Sequence, residues 1–253
     1  MRGDRPGETT ATEIPTVDIE RFWRPLVAHW LADTRAAKGS VELIALAGPV
    51  AVGKSTAAAL LARLFSEQGR AAVAVGLDGF LFSNAELADR ELAKGTPESY
   101  DWDAITAWVQ ACRAGTAPPA PTYSHEFYDV DPTAQQSTTG ADVVIVEGIY
   151  GVHPVLGAAG VTHGLYLDAD HRDLARWYQR RFVHLVERAQ RAAASGTDPG
   201  FYGSFVGLDH RQRRDVAAAI WTTYNLPLIV NHIEPTRPYA TRVITLDRNQ
   251  HPH

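Results

Sequence analysis

The segment Gly48-Pro-Val-Ala-Val-Gly53-Lys54-Ser55 limits the folds open to this chain because of what flanks it. It follows the apolar run 41–47 (VELIALA), which has the look of a buried parallel strand. It opens the stretch 55–68 (STAAALLARLFSEQ), which has a helical pattern and ends near Gly69. A GxxxxGK(S/T) turn between a strand and a helix is a phosphate-binding loop. Gly48 and Gly53 let the backbone curl, so that N–H groups of Val50, Ala51, Val52 and Gly53 point at phosphate oxygens. The helix start at Ser55 and Thr56 adds partial positive charge in the same place. Lys54 supplies a mobile charge for the β and γ phosphates, and the Ser55 hydroxyl is a hard oxygen for Mg2+. The other possibility, a chance glycine-rich turn, does not explain the strand and helix on either side.

Strand and helix patterns go on alternating. Strands are expected over 71–77, 142–146, 164–168 and 242–247, and helices over 84–94, 103–113, 171–193 and 210–224. That order predicts an α/β protein of P-loop NTPase type, a doubly wound, mostly parallel sheet with helices on both faces. The proline-rich stretch 117–122 and the glycine-rich stretch 195–208 are expected as loops, and no internal repeat is present. Residues 1–15 carry Gly, Pro, Thr and charge and are expected as a disordered leader, leaving 16–253 as a single domain. Ile19, Phe22, Trp23, Leu26, Val27, Trp30 and Leu31 make a helical stripe, with Pro25 inside it predicting a kink or a later start.

Composition narrows the function classes. A net charge of −5 over 253 residues gives no global cationic field for nucleic acid. Cys112 is the single cysteine, which excludes an intrachain disulfide and a cysteine-cluster metal site. No apolar stretch nears the roughly 18–20 residues of a spanning helix, and the N-terminus has no apolar signal region. The expectation is a cytoplasmic protein with no membrane or nucleic-acid partner.

A phosphate loop alone does not separate a kinase from a GTPase. The guanine-reading NKxD motif is absent, the nearest candidate being Asn231-His232-Ile233-Glu234, so an ATP user is the better class. Asp78 follows the strand 71–77, and Glu147 follows DVVIV. Both would stand at the carboxyl ends of strands, where such sheets bind ligands. A carboxylate there can take a proton from an attacking hydroxyl or hold water on Mg2+, though each could also be a turn or cap residue. On helix 171–193, Leu174, Trp177, Tyr178, Phe182 and Leu185 form an apolar face that includes Arg181. A guanidinium there must meet an anion, either a core carboxylate or a phosphoryl group. Arg172 and Arg180 fit solvated surface. Tyr123, His125 and Tyr128 crowd aromatic and imidazole groups into one segment, as the walls of small polar-substrate pockets do.

Taken in order, GPVAVGKST (48–56), LDGF (77–80), KGTPESYD (94–101), PTYSHEFYDV (121–130), VEG (146–148), WYQRRF (177–182) and PTR (235–237) resemble the bacterial type I pantothenate kinases. These belong to the phosphoribulokinase/uridine kinase superfamily of P-loop kinases. The resemblance covers about residues 41–247. It implies a homodimer that uses ATP and Mg2+ to phosphorylate a small-molecule hydroxyl, that of pantothenate. It gives Lys54 and Ser55 the phosphate and metal roles, with Glu147 beside the metal. Asp78 becomes the base and Arg181 the transition-state arginine. Tyr123, His125, Tyr128, Tyr178 and Asn225 become pocket residues, and Arg237 a contact to adenine. Ala59 stands where the family carries an arginine for coenzyme A feedback, and His184, Leu185 and the Ile149-Tyr150 pair also depart from the family pattern. Two other functions remain open: the same chemistry on a nucleoside, sugar or other alcohol, and a non-catalytic nucleotide-binding regulator.

Overall fold

The computed structural model describes residues 14–33 and 41–253, so the leader expected over 1–15 lies outside the described residues except for Ile14 and Pro15. Strands β1 (Glu42–Ala47), β2 (Ala72–Gly76), the hairpin pair β3 (Ala120–Ser124) and β4 (Asp129–Gln136), β5 (Val143–Glu147), β6 (His163–Asp168) and β7 (Arg242–Thr245) divide into two sheets. The larger is parallel throughout, in the order β2-β5-β1-β6-β7. All six residues of β1 are buried, which requires protein on both faces of the sheet. Helices α1 (Arg24–Asp33), α2 (Lys54–Glu67), α3 (Asn84–Asp89), α4 (Trp102–Arg113), α5 (Pro154–Ala159), α6 (His171–Ala194) and α7 (His210–Ile220) supply most of that cover. α2 packs on β2 and β5, and α4 packs on β1. The one charged residue in β1, Glu42, lies 3.7 Å from both Arg70 and His163. Among the described residues no helix is long and apolar enough to cross a membrane.

Four expectations change. The proline-rich stretch 117–122 is not all loop, because β3 begins at Ala120 and pairs with β4 in an antiparallel hairpin. Its register jumps between Pro121 and Thr122, so that Pro132 falls in the bulge and costs no ladder bond. The helix over 84–94 stops at Asp89. A Ser83–Glu86 capping box starts it, and Glu91, in the left-handed region at φ 55°, ends it. The helix over 210–224 instead runs on, through π turns at Trp221–Asn225 and Ile229–Ile233 and a 3-10 turn at Glu234–Tyr239. The stripe around Pro25 neither breaks nor starts late: Thr16–Asp18 leads through a π turn, Ile19–Trp23, into α1. Each of the three π turns ends two residues before a proline (Pro25, Pro227, Pro235). A prolyl ring lacks an N–H and collides with the carbonyl four residues back, and widening the turn relieves both.

Candidate active site

The phosphate loop follows β1 and is built on glycine where only glycine fits. Gly48 has φ 146°, and a Cβ there would lie 2.4 Å from the Leu167 carbonyl oxygen of β6. Gly53, at φ 97°, caps α2 without a side chain, leaving the first N–H groups of the helix facing outward. Ala51 takes φ 69°, a strain of about 1–2 kcal/mol for a residue with a Cβ. Val52 turns its side chain into the core, while Val50 and Ala51 are partly buried. Lys54 Nζ donates to the Pro49 carbonyl at 2.8 Å, back across the loop. Burial holds the Lys54 ammonium below its ordinary pKa, with Glu147 and Asp78 pulling it up and Arg181 pushing it down.

Strand register decides what meets this lysine. Gly76 of β2 pairs with Glu147 of β5, and the 3-10 turn Leu77–Phe80 then carries Asp78 just past the sheet edge. Ser55 Oγ donates to Glu147 Oε1 at 2.7 Å. Burial raises the pKa of Glu147 against the opposing pull of Lys54 and Ser55. Asp78 accepts a hydrogen bond from the Tyr100 hydroxyl at 2.8 Å. Arg181 is half-buried on α6 and forms no ion pair among the described residues. Its charge instead reaches Lys54, Glu147 and His125. Arg172 and Arg180 are exposed, as the sequence suggests.

The hairpin packs against the turn that carries Asp78. Gly79 lets it approach: a Cβ there would stand 2.1 Å from the Pro121 carbonyl oxygen. Tyr123 packs edge-on against His125 at 5.2 Å and against Tyr128 at 6.2 Å. Crowding by surrounding protein lowers the pKa of His125, and Arg181 adds to the shift. Tyr128, at φ 55°, stacks on Phe201 at 4.5 Å. Its carbonyl accepts from Lys94 Nζ at 2.6 Å and from Asn84 Nδ2 at 3.0 Å. Tyr178 of α6 packs on Trp221 at 5.8 Å and neighbours Asn225. The Asn225 amide nitrogen is buried beside the Tyr178 hydroxyl, which it approaches without a hydrogen bond of full geometry.

Thus the structure makes Lys54, Ser55, Asp78, Glu147, Arg181, Tyr123, His125, Tyr128, Tyr178 and Asn225 one connected group of neighbours. Arg237 pairs with Asp168 at 2.9 Å where β6 ends. The two border an open cleft of about 670 Å³, lined also by Glu234, Pro238, Ala240 and Val243. Sequence reasoning passed over Tyr100, Lys94 and Tyr202. The first two lie in the KGTPESYD motif, which is the signal that could have found them. Tyr202 comes from the stretch expected as a loop and feels Arg181, Tyr178 and Tyr128.

Residues 43–180 match the model of the Phosphoribulokinase / Uridine kinase family. The chain belongs to this family. Within it the chain is similar to pantothenate kinases. It is 39% identical over 222 residues to that of Leifsonia xyli subsp. xyli, covering 83% of this chain and 67% of the relative. Against that of Streptomyces coelicolor it is 37% identical over 231 residues, covering 85% and 68%. With that of Cutibacterium acnes it shares 37% identity over 218 residues, covering 80% and 65%. The chain therefore spans about two thirds of the length of these relatives. Solved structures share the fold at lower identity. A protein of Silicibacter sp. TM1040 described as a fructose transport system kinase superposes with TM-score 0.66 at 22% identity, covering 87% of this chain and 97% of that one. D-glycerate 3-kinase from Cryptococcus neoformans var. grubii gives 0.58 at 12%, covering 94% and 97%.

Proposed function

We propose that this family member transfers the γ-phosphoryl group of ATP to the primary hydroxyl of pantothenate. The observation that carries the transfer is the place of Asp78, half-buried beyond β2 within the field of Lys54. The choice of acceptor rests on the similarity to pantothenate kinases. The acceptor oxygen forms a bond to the γ-phosphorus as the bond from that phosphorus to the β,γ-bridging oxygen breaks. The hydroxyl proton passes to Asp78. Lys54 and Arg181 offset the charge on the moving phosphoryl group, and the backbone N–H groups of Gly48, Val50, Ala51, Val52, Gly53, Lys54, Ser55 and Thr56 hold the phosphates behind it. Ser55 and Glu147 fit Mg2+, since a hydroxyl and a carboxylate converge at 2.7 Å and both are hard oxygen donors. When bound, the ion neutralises β and γ phosphate charge.

Tyr123, His125, Tyr128 and Tyr178 shape the acceptor pocket in this proposal. The Asn225 amide, which lacks a hydrogen bond of full geometry, suits the amide carbonyl or the carboxylate of pantothenate. Arg237 would meet the adenine from the cleft it borders. A cytoplasmic homodimer is the setting the family resemblance implies.

An ADP-release assay over pantothenate, uridine, fructose and D-glycerate tests the proposal. Turnover on pantothenate alone is the expected result. Turnover only on another alcohol would replace the acceptor, and silence on all four would overturn it. Asp78→Asn should keep ATP binding and lose about 10²- to 10⁴-fold in kcat.

A further inference from the structure

We infer that Tyr100 is a positioning residue for phosphoryl transfer: its phenol pins one oxygen of Asp78 so that the other faces the acceptor hydroxyl. The inference goes beyond the proposed function while resting on Asp78 as its base. The Tyr100 hydroxyl donates to Asp78 Oδ1 at 2.8 Å from a side chain only 3% exposed. The backbone around the two residues is stitched together as well. Asp101 N donates to the Phe80 carbonyl at 2.9 Å, Phe82 N donates to the Ser99 carbonyl at 3.0 Å, and Leu81 bridges to Tyr100. The two ends of the hydrogen bond therefore cannot drift apart independently.

The phenol is itself braced. Its ring meets the edge of Tyr150 at 5.4 Å and 88°, and the Tyr150 hydroxyl is fixed by donating to the Gly95 carbonyl at 2.8 Å. Trp102 tilts against Tyr100 at 5.9 Å. Burial and the Asp78 charge push the Tyr100 pKa well up, so the group stays a donor. Nothing else donates a hydrogen bond to the Asp78 carboxylate among the described residues. Its other charged and titratable neighbours are the cations Lys54 and Lys94, the carboxylate Glu147, the imidazole His125 and the phenols Tyr123 and Tyr128. These set the local field, whereas Tyr100 sets a direction. With the 3-10 turn Leu77–Phe80 holding the backbone, the hydrogen bond removes the remaining freedom of the carboxylate to swing.

The test is Tyr100→Phe in the full chain, alone and combined with Asp78→Asn. Because misplacement by about an ångström costs on the order of 100-fold, kcat should fall about 10- to 100-fold in the single variant. KM for ATP and for the acceptor should stay within about twofold, and the melting temperature should hold. In the Asp78→Asn background the second substitution should change nothing further, since no base remains to be aimed. Wild-type kcat in Tyr100→Phe would overturn the inference, as would an equal loss in both backgrounds. So would a variant that fails to fold, because the hydroxyl would then serve the core. Full turnover by Asp78→Asn instead defeats the base assignment, a different failure from an impaired Asp78→Asn beside an unaffected Tyr100→Phe.

Discussion

Replacing Arg181 with alanine separates a catalytic guanidinium from a structural one, because the two predict opposite results for stability. A buried arginine paired with a core carboxylate leaves an uncompensated charge when removed, at a cost of about 3–5 kcal/mol. For a chain of this size that is a fall of roughly 6–20 °C in melting temperature. Arg181 has no such partner among the described residues, and its charge is felt instead by Lys54, Glu147 and His125. Arg181→Ala should therefore melt within about 2 °C of the wild type. Its catalytic cost should be large. An arginine that stabilises a transferring phosphoryl group contributes about 10³–10⁵ in rate, and the lower figure corresponds to about 4 kcal/mol of transition-state stabilisation. Steady-state ADP release gives kcat, a fluorescent ATP analogue gives nucleotide affinity, and scanning calorimetry gives the melting temperature. A variant that melts about 10 °C lower yet keeps turnover within about tenfold of the wild type would refute the reasoning.

Two further perturbations address other parts of the molecule. Gly79→Ala would place a Cβ 2.1 Å from the Pro121 carbonyl oxygen, so the hairpin bearing Tyr123 and His125 must move. The expected result is an acceptor KM raised by about tenfold or more with ATP affinity unchanged, and an unchanged KM would show that the hairpin does not touch the acceptor. His251 Nδ1 meets Asp18 Oδ2 at 2.6 Å, fastening the C-terminal turn to the helical run before α1, and this hydrogen bond raises the His251 pKa. A raised folded-state pKa adds stability that is full below the unfolded value of about 6.5 and fades as pH climbs through the folded value. His251→Gln should accordingly melt lower than the wild type near pH 6 and converge with it near pH 9, and a gap that stays constant with pH would refute the pairing.

The parallel strands were legible because burial on both faces makes a strand nearly all apolar, and VELIALA and DVVIV are such runs, each with a single acidic residue at or near its start. Asp78 and Glu147 were legible because a doubly wound sheet makes the first polar residue after a strand a candidate. Arg181 was legible as a charge on an apolar helix face. The hairpin was hidden, since the prolines of 117–122 read as loop although Pro121 pairs with Gln135 at the start of the hairpin. The helical run beyond 224 was hidden for the same kind of reason, its prolines being absorbed by π turns that leave no mark on periodicity. Tyr100 lies 22 residues from the carboxylate it holds. No local pattern reports a contact at that distance, and a motif letter does not say where its side chain goes.

The order of strands at the edge of the sheet arranges the proposed reaction. β1 ends in the phosphate loop, β5 beside it ends in Glu147, and β2 beyond that leads to Asp78. Neighbouring strands lie about 4.8 Å apart, so the ends of β1 and β2 are separated by two spacings, or about 10 Å, and Asp78 remains close enough to act on the Lys54 charge. The two carboxylates are also committed to different sides by their partners. Ser55 ties Glu147 to the nucleotide side, where a raised proton affinity is relieved by a cation. Tyr100 holds Asp78 near Tyr123 and Tyr128 of the hairpin, the acceptor side in the proposed reaction. Exchanging the proposed roles would require Ser55 to reach across a strand, so the β2-β5-β1 order favours Glu147 as the proposed metal ligand and Asp78 as the proposed base.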